Sequence, residues 1–167
     1  MNKNHLLRPV LGAFGLWLIL LGWLWRDSFV PNGMAFCNDA PLGLMAAFAE
    51  NRWDHFLHGS WTPLVWLGSP ALPLQPSFTH LLFLMGGPVF FGKFAAPLSL
   101  LLLACSAFVF CRSRGFSLSV STLVGIAAAL NGNFLSHAAW GLGSRATAAA
   151  FVLLALAALT GTGHRRS

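Results

Sequence analysis

The sequence predicts an all-α, polytopic transmembrane protein of about four spans, with an extracytoplasmic loop subdomain that carries an amphipathic helix. Three observations predict it. Of the 167 residues, 56% are hydrophobic and 8% charged, with fifteen Phe and seven Trp; a soluble domain of this size would have to cover itself in apolar surface. Several apolar runs approach or reach the length that crosses a hydrocarbon core, about twenty residues at 1.5 Å rise. All four carboxylates, Asp27, Asp39, Glu50 and Asp54, fall between the first long apolar run and the second.

The first run, Leu6 to Trp25, has no charge except Arg8 near its start. Lys3, His5 and Arg8 also give it the basic start of a signal peptide. Its length, and Trp17, Trp23 and Trp25 followed by Arg26-Asp27, favour a retained span with an interfacial aromatic belt over a small-residue cleavage site. Residues 26–87 then form the loop subdomain, and residues 88–167 hold three further spans. Pro88 to Phe110 is the second, with Lys93 able to snorkel from near its start; Ser117 to His137 is the third; Ala146 to about Thr160 is a short fourth. Lys3, Arg8, Arg112, Arg114, Arg165 and Arg166 fall on one side, which the positive-inside rule assigns to the cytoplasm. Both termini are therefore expected in the cytoplasm of a bacterial inner membrane. The net charge of +6 is scattered in ones and twos at the ends of apolar runs, where the lipid bilayer and topology explain it, so no nucleic-acid partner is expected.

Within the loop, Asn38 or Asp39 can cap a helix with Pro41 in its first turn. Leu42, Met45, Ala46, Ala49, Trp53, Phe56 and Leu57 recur at three- and four-residue spacing on its apolar face. Glu50, Arg52 and His55 mark the other face. Pro63, Gly68, Pro70, Pro73 and Pro76 forbid a regular helix over residues 61–76. The stretch Ser77 to Met85 is too short to cross and is expected as a re-entrant or interfacial helix.

Few residues can carry chemistry. Asp39, just before the loop helix, is the candidate catalytic base and a candidate divalent-metal ligand; an ordinary helix cap is the other reading. Glu50, Asp54 and His58 recur four apart, which permits a metal site, although a solvated face paired with Arg52 is the plainer account. Asn131, Asn133 and His137 cluster near the outer end of the third span. Asn133 and His137 share a face, suited to ligand contact or to hydrogen bonding between helices. His137, or His80, can also ligate a haem or chlorophyll, but no paired His or CxxCH sequence accompanies either. Arg145, at the mouth of the fourth span, suits phosphate or carboxylate recognition, or lipid head groups. The three cysteines, Cys37, Cys105 and Cys111, form no disulfide or zinc pattern. No P-loop, dinucleotide fingerprint, GxSxG elbow or HExxH occurs, so the chemistries of those motifs have nothing to attach to.

A basic start, one span, an outer-loop Asp before an amphipathic helix, then Trp61-Thr62-Pro63, Leu67-Gly68-Ser69-Pro70 and a Pro-bounded apolar stretch resemble the amino-terminal portion of YfhO-like bacterial membrane proteins. These are similar to the GT-C class of polytopic glycosyltransferases, and the resemblance extends over about Leu11 to Leu159. It implies transfer of a sugar from a polyprenyl-phosphate donor at the extracytoplasmic face, with an acid in the first outer loop, a position that only Asp39 matches here, and in some members a divalent metal; Arg145, Asn133 and His137 are candidate substrate contacts from their own chemistry. Such proteins usually have many more spans, so the resemblance further implies a fragment or a shortened relative that has lost the donor site. The alternative expectation is a non-catalytic membrane subunit or scaffold whose aromatic loop docks other membrane subunits.

Overall fold

The computed structural model describes residues 4–31, 33, 61–62, 69–70 and 78–163. Helix α1 (Asn4–Leu24) runs into a 3-10 turn, Arg26–Phe29. The next described elements are two-residue strands, β1 (Trp61–Thr62) and β2 (Ser69–Pro70). They pair antiparallel, Trp61 opposite Pro70 and Thr62 opposite Ser69. Helices α2 (Phe78–Ser113), α3 (Leu118–Ala129), α4 (Gly132–Ala139) and α5 (Gly143–Gly163) complete the described chain. The expected loop helix, with Met45, Glu50, Asp54 and His58, lies outside the described residues.

Helix α2 is broken at Gly87, whose φ of 75° and ψ of 177° are not helical. The sequence dictates the break: Pro88 disfavours the helical region for the residue before it, and only glycine takes a positive φ there without strain. The break falls between the short apolar stretch and the long one that the sequence separates. The long part, Val89–Ser113, has 25 residues.

Pairs of contacts fix the direction of each helix. Phe29 meets Phe94 with ring centroids 5.4 Å apart, and Trp17 meets Phe108 at 5.6 Å, so α1 and α2 are antiparallel. Gly143 abuts Ser99, and Ser113 Oγ lies 3.4 Å from Thr160 Oγ1. Helices α2 and α5 therefore run parallel, and α3 with α4 forms the return path between them. The end of α1, the start of Val89–Ser113, α4 and the start of α5 gather at one end of the bundle, with Arg112 and Arg114 at the other.

Helix α2 is the hub, packed most extensively on α5 and next on α3. Its Ala96, Leu100, Leu103 and Ala104 share one buried cluster with Ala146 and Ala150 of α5. Small side chains let helix backbones approach closely, the usual means of association where lipid leaves little hydrophobic drive. Interior hydroxyls return to their own helices: Ser99 donates to Ala96 O (2.7 Å), Ser106 to Leu102 O (2.7 Å), Ser121 to Ser117 O (2.9 Å) and Thr147 to Gly143 O (3.1 Å). These four hydroxyls are thereby satisfied, whereas Trp17 Nε1 and Ser28 Oγ are buried without a hydrogen-bond partner.

Large apolar side chains face outward all round. Ile19 is 74% exposed, Leu123 64%, Val152 60% and Leu159 72%. Among the described residues two helices, Val89–Ser113 and Gly143–Thr160, are long and apolar enough to cross a membrane, or three if α3 and α4, bent by 47°, count as one broken span. Helix α1 adds a shorter apolar stretch, Val10–Leu24.

Candidate functional site

The polar end of the bundle is built by two local devices. Leu130 closes α3, its N–H bonded to Ile126 O at 2.9 Å. Asn131 then leaves helical geometry, and its side chain accepts from the backbone N–H of Asn133 at 3.0 Å, capping α4. That cap causes the bend between α3 and α4. The stretch expected as the third span, Ser117 to His137, is therefore built as a helix, a cap and a second helix.

The second device closes α4. Gly141 takes a φ of 93°; its N–H bonds Ala138 O at 3.0 Å, and the N–H of Leu142 bonds His137 O at 2.8 Å. These are the paired closing bonds of a glycine-terminated helix, with the glycine in the left-handed conformation. The turn is tight enough to start α5 at Gly143 and to bring its first turn back over α4.

Arg145 of α5 and His137 of α4 consequently meet, with Arg145 Nη1 2.6 Å from His137 Nε2. The other ring nitrogen, Nδ1, lies 2.7 Å from Asn133 O. The three residues expected as substrate contacts are brought together, with Asn133 contributing its backbone carbonyl to the ring. A carbonyl only accepts, so Nδ1 carries the ring proton and Nε2 accepts from the guanidinium. Arg145 is exposed and His137 half-buried. A cation in the first turn of a helix opposes the helix dipole, so helix stability does not account for Arg145 at this position.

Lys93 does more than snorkel. It donates to Val30 O at 2.8 Å and Pro31 O at 3.0 Å, tying the chain after the 3-10 turn to the start of the long part of α2. Its only signal in the sequence is a lone cation inside an apolar run, which lipid contact explains as well. Beside this tie, α1 and α2 leave a groove of about 280 Å³, lined by Leu21, Trp25, Phe29, Phe94 and Pro97 among other apolar residues. Arg26 and Asp27, 4.0 Å apart and both exposed, stand at the same end.

Asp39, Glu50, Asp54 and His58 lie outside the described residues. Among the described residues no group of three or more His, Cys, Asp or Glu is placed to hold a metal ion. Cys105 and Cys111 are free thiols. Comparison with known proteins gives no match for this chain, whether among family models, curated proteins or solved structures.

Proposed function

We propose that the chain is a GT-C/YfhO-like module of the bacterial inner membrane, with four spans and both termini cytoplasmic, that binds a polyprenyl-phosphate sugar at its extracytoplasmic face. In this reading Asp39 is the base for the acceptor hydroxyl or a ligand of a divalent metal, and Arg145 contacts the donor phosphate. The observation that carries it is the convergence of Arg145, His137 and Asn133 at one end of the bundle. An exposed guanidinium with Nη1 anchored still has N–H groups to offer a phosphate in a planar fork. The sequence resemblance supplies the donor and the reaction class.

The test is binding of a polyprenyl-phosphate sugar to the full chain in lipid nanodiscs. Arg145→Ala should weaken binding more than Arg145→Lys, because the first loses charge and fork while the second loses only the fork. Equal affinity of both variants and the wild type removes Arg145 from the site and favours the non-catalytic subunit. If transfer is detected, Asp39→Asn should lower it about a hundredfold, the usual contribution of a positioned base. Orientation is read separately: with Cys37, Cys105 and Cys111 replaced by Ser, Ser144→Cys should react with an impermeant thiol reagent added outside intact cells, and labelling only after permeabilisation reverses the topology.

A further inference from the structure

We propose that His137 and Arg145 form a proton-gated pair: a neutral His137 holds Arg145, and protonation of His137 releases the guanidinium and turns the ring into a second cationic donor for a phosphodiester head group. The anion half of this inference rests on the reading of Arg145 as a phosphate contact. The gate itself does not.

The gate follows from the two ring contacts. With its proton on Nδ1, donated to Asn133 O at 2.7 Å, the neutral ring has one lone pair left, and that lone pair accepts Arg145 Nη1 at 2.6 Å. Both valences of the neutral imidazole are used, and the tautomer is fixed from both sides. A proton added at Nε2 occupies the lone pair that the guanidinium uses. It also places a second positive charge within hydrogen-bond distance of the first, where like charges repel strongly. Nδ1 keeps its bond to Asn133 O in the imidazolium, so the ring stays in place while Arg145 leaves. An anion that accepts from Nε2–H and from Arg145 together relieves the repulsion. Proton uptake and anion binding are therefore linked, each favouring the other.

No other charged group described around the ring competes for this role. Of the helices packed against α4, α3 has no titratable residue and α5 contributes Arg145. Helix α2 contributes His80, in the short part before the break at Gly87, Lys93, whose Nζ is turned to Val30 and Pro31, and Cys105, Cys111 and Arg112, which lie further along toward the opposite end. Among the described residues the one carboxylate is Asp27, which is exposed and lies 4.0 Å from Arg26.

The test uses the full chain in phosphatidylcholine nanodiscs, with fluorescent short-chain phosphatidylglycerol as probe, because a phosphodiester keeps its charge across the range in which histidines titrate. Affinity should rise about tenfold from pH 8 to pH 5.5, the scale of one added charge-assisted hydrogen bond. His137→Gln, neutral throughout, should abolish the rise, and Arg145→Ala should lower affinity at both ends. Imidazole ¹⁵N spectra, assigned by difference against His137→Gln, should show the Nδ1–H tautomer in the neutral ring, with the Nδ1–H bond kept as the ring is protonated. An Nε2–H tautomer in the neutral ring, or protonation of the ring that Arg145→Ala leaves unchanged, overturns the gate. A ring that titrates as described while phosphatidylglycerol affinity stays flat and insensitive to Arg145→Ala overturns the anion half and, with it, the phosphate reading of Arg145.

Discussion

Helix α2 is packed on two sides by opposite means. Toward α5 the contact is continuous and rich in small residues: Gly143 brings the α5 backbone against Ser99 at one end, Ser113 lies beside Thr160 at the other, and Ala96, Leu100, Ala146 and Ala150 belong to the buried cluster. Toward α1 the contact is made of large rings at separated points, Trp17 on Phe108 and Phe29 on Phe94, with the apolar groove beside Trp25 and Phe29 and the Lys93 tie at its end. Small residues bring backbones together along a whole helix; large rings anchor a helix at points and leave space between them. The first arrangement fixes where Arg145 stands, since α5 cannot slide on α2 without driving Gly143 into Ser99.

The largest effect is expected in the continuous interface. Leu100 is fully buried at 0% exposure, and Leu100→Ala removes its contacts where small, close-set neighbours have little freedom to collapse inward. A loss of about 2–5 kcal/mol is expected, read by unfolding in mixed detergent. A cost below about 1 kcal/mol would mean that α5 settles toward α2, and the two interfaces would then differ less than described.

A smaller effect is expected where α1 is anchored. A Cβ on Gly125 would stand 2.7 Å from Trp17 Cζ2 and 3.0 Å from Ala104 O. The indole can shift toward its neighbouring space, but the α2 carbonyl cannot, so Gly125→Ala should cost about 1–3 kcal/mol, as overpacking does. Loss of the Trp17 anchor should appear as a red shift of the fluorescence of that tryptophan, isolated by comparison with Trp17→Phe. Unchanged stability and emission would show that α1 is held elsewhere, by the Lys93 tie.

The same contrast explains what the sequence could reveal. The break at Gly87 was legible because Pro88 acts on its own neighbour, and Asn133 with His137 was legible because four residues separate them on one helix turn. The Asn-Gly-Asn run at 131–133 is a turn signal that the reading of Ser117 to His137 as a span does not use. His137 and Arg145 meet across a turn, eight residues apart, and no helical period predicts that contact; it depends on the left-handed Gly141. The Lys93 contacts to Val30 and Pro31 join positions 63 and 62 residues apart. They arise from tertiary packing alone. Of the expected site, the sequence could name Arg145 and His137 from their chemistry, but assigning the ring proton required the distances to both nitrogens.

The smallest effect, with the opposite sign, is expected at the groove. Gly22 lines it, and a Cβ built there meets nothing within 4 Å. In the interior of a helix, alanine is favoured over glycine by about 0.5–1 kcal/mol, because the glycine backbone loses more freedom on folding. With open space to receive the methyl group, Gly22→Ala should therefore stabilise the protein by that amount in the same detergent titration. Gly125→Ala is the identical chemical change in a helix, so the difference in sign between the two variants isolates packing from propensity. If Gly22→Ala destabilises instead, the groove is occupied by another group in the folded protein, and α1 is packed as continuously as α5.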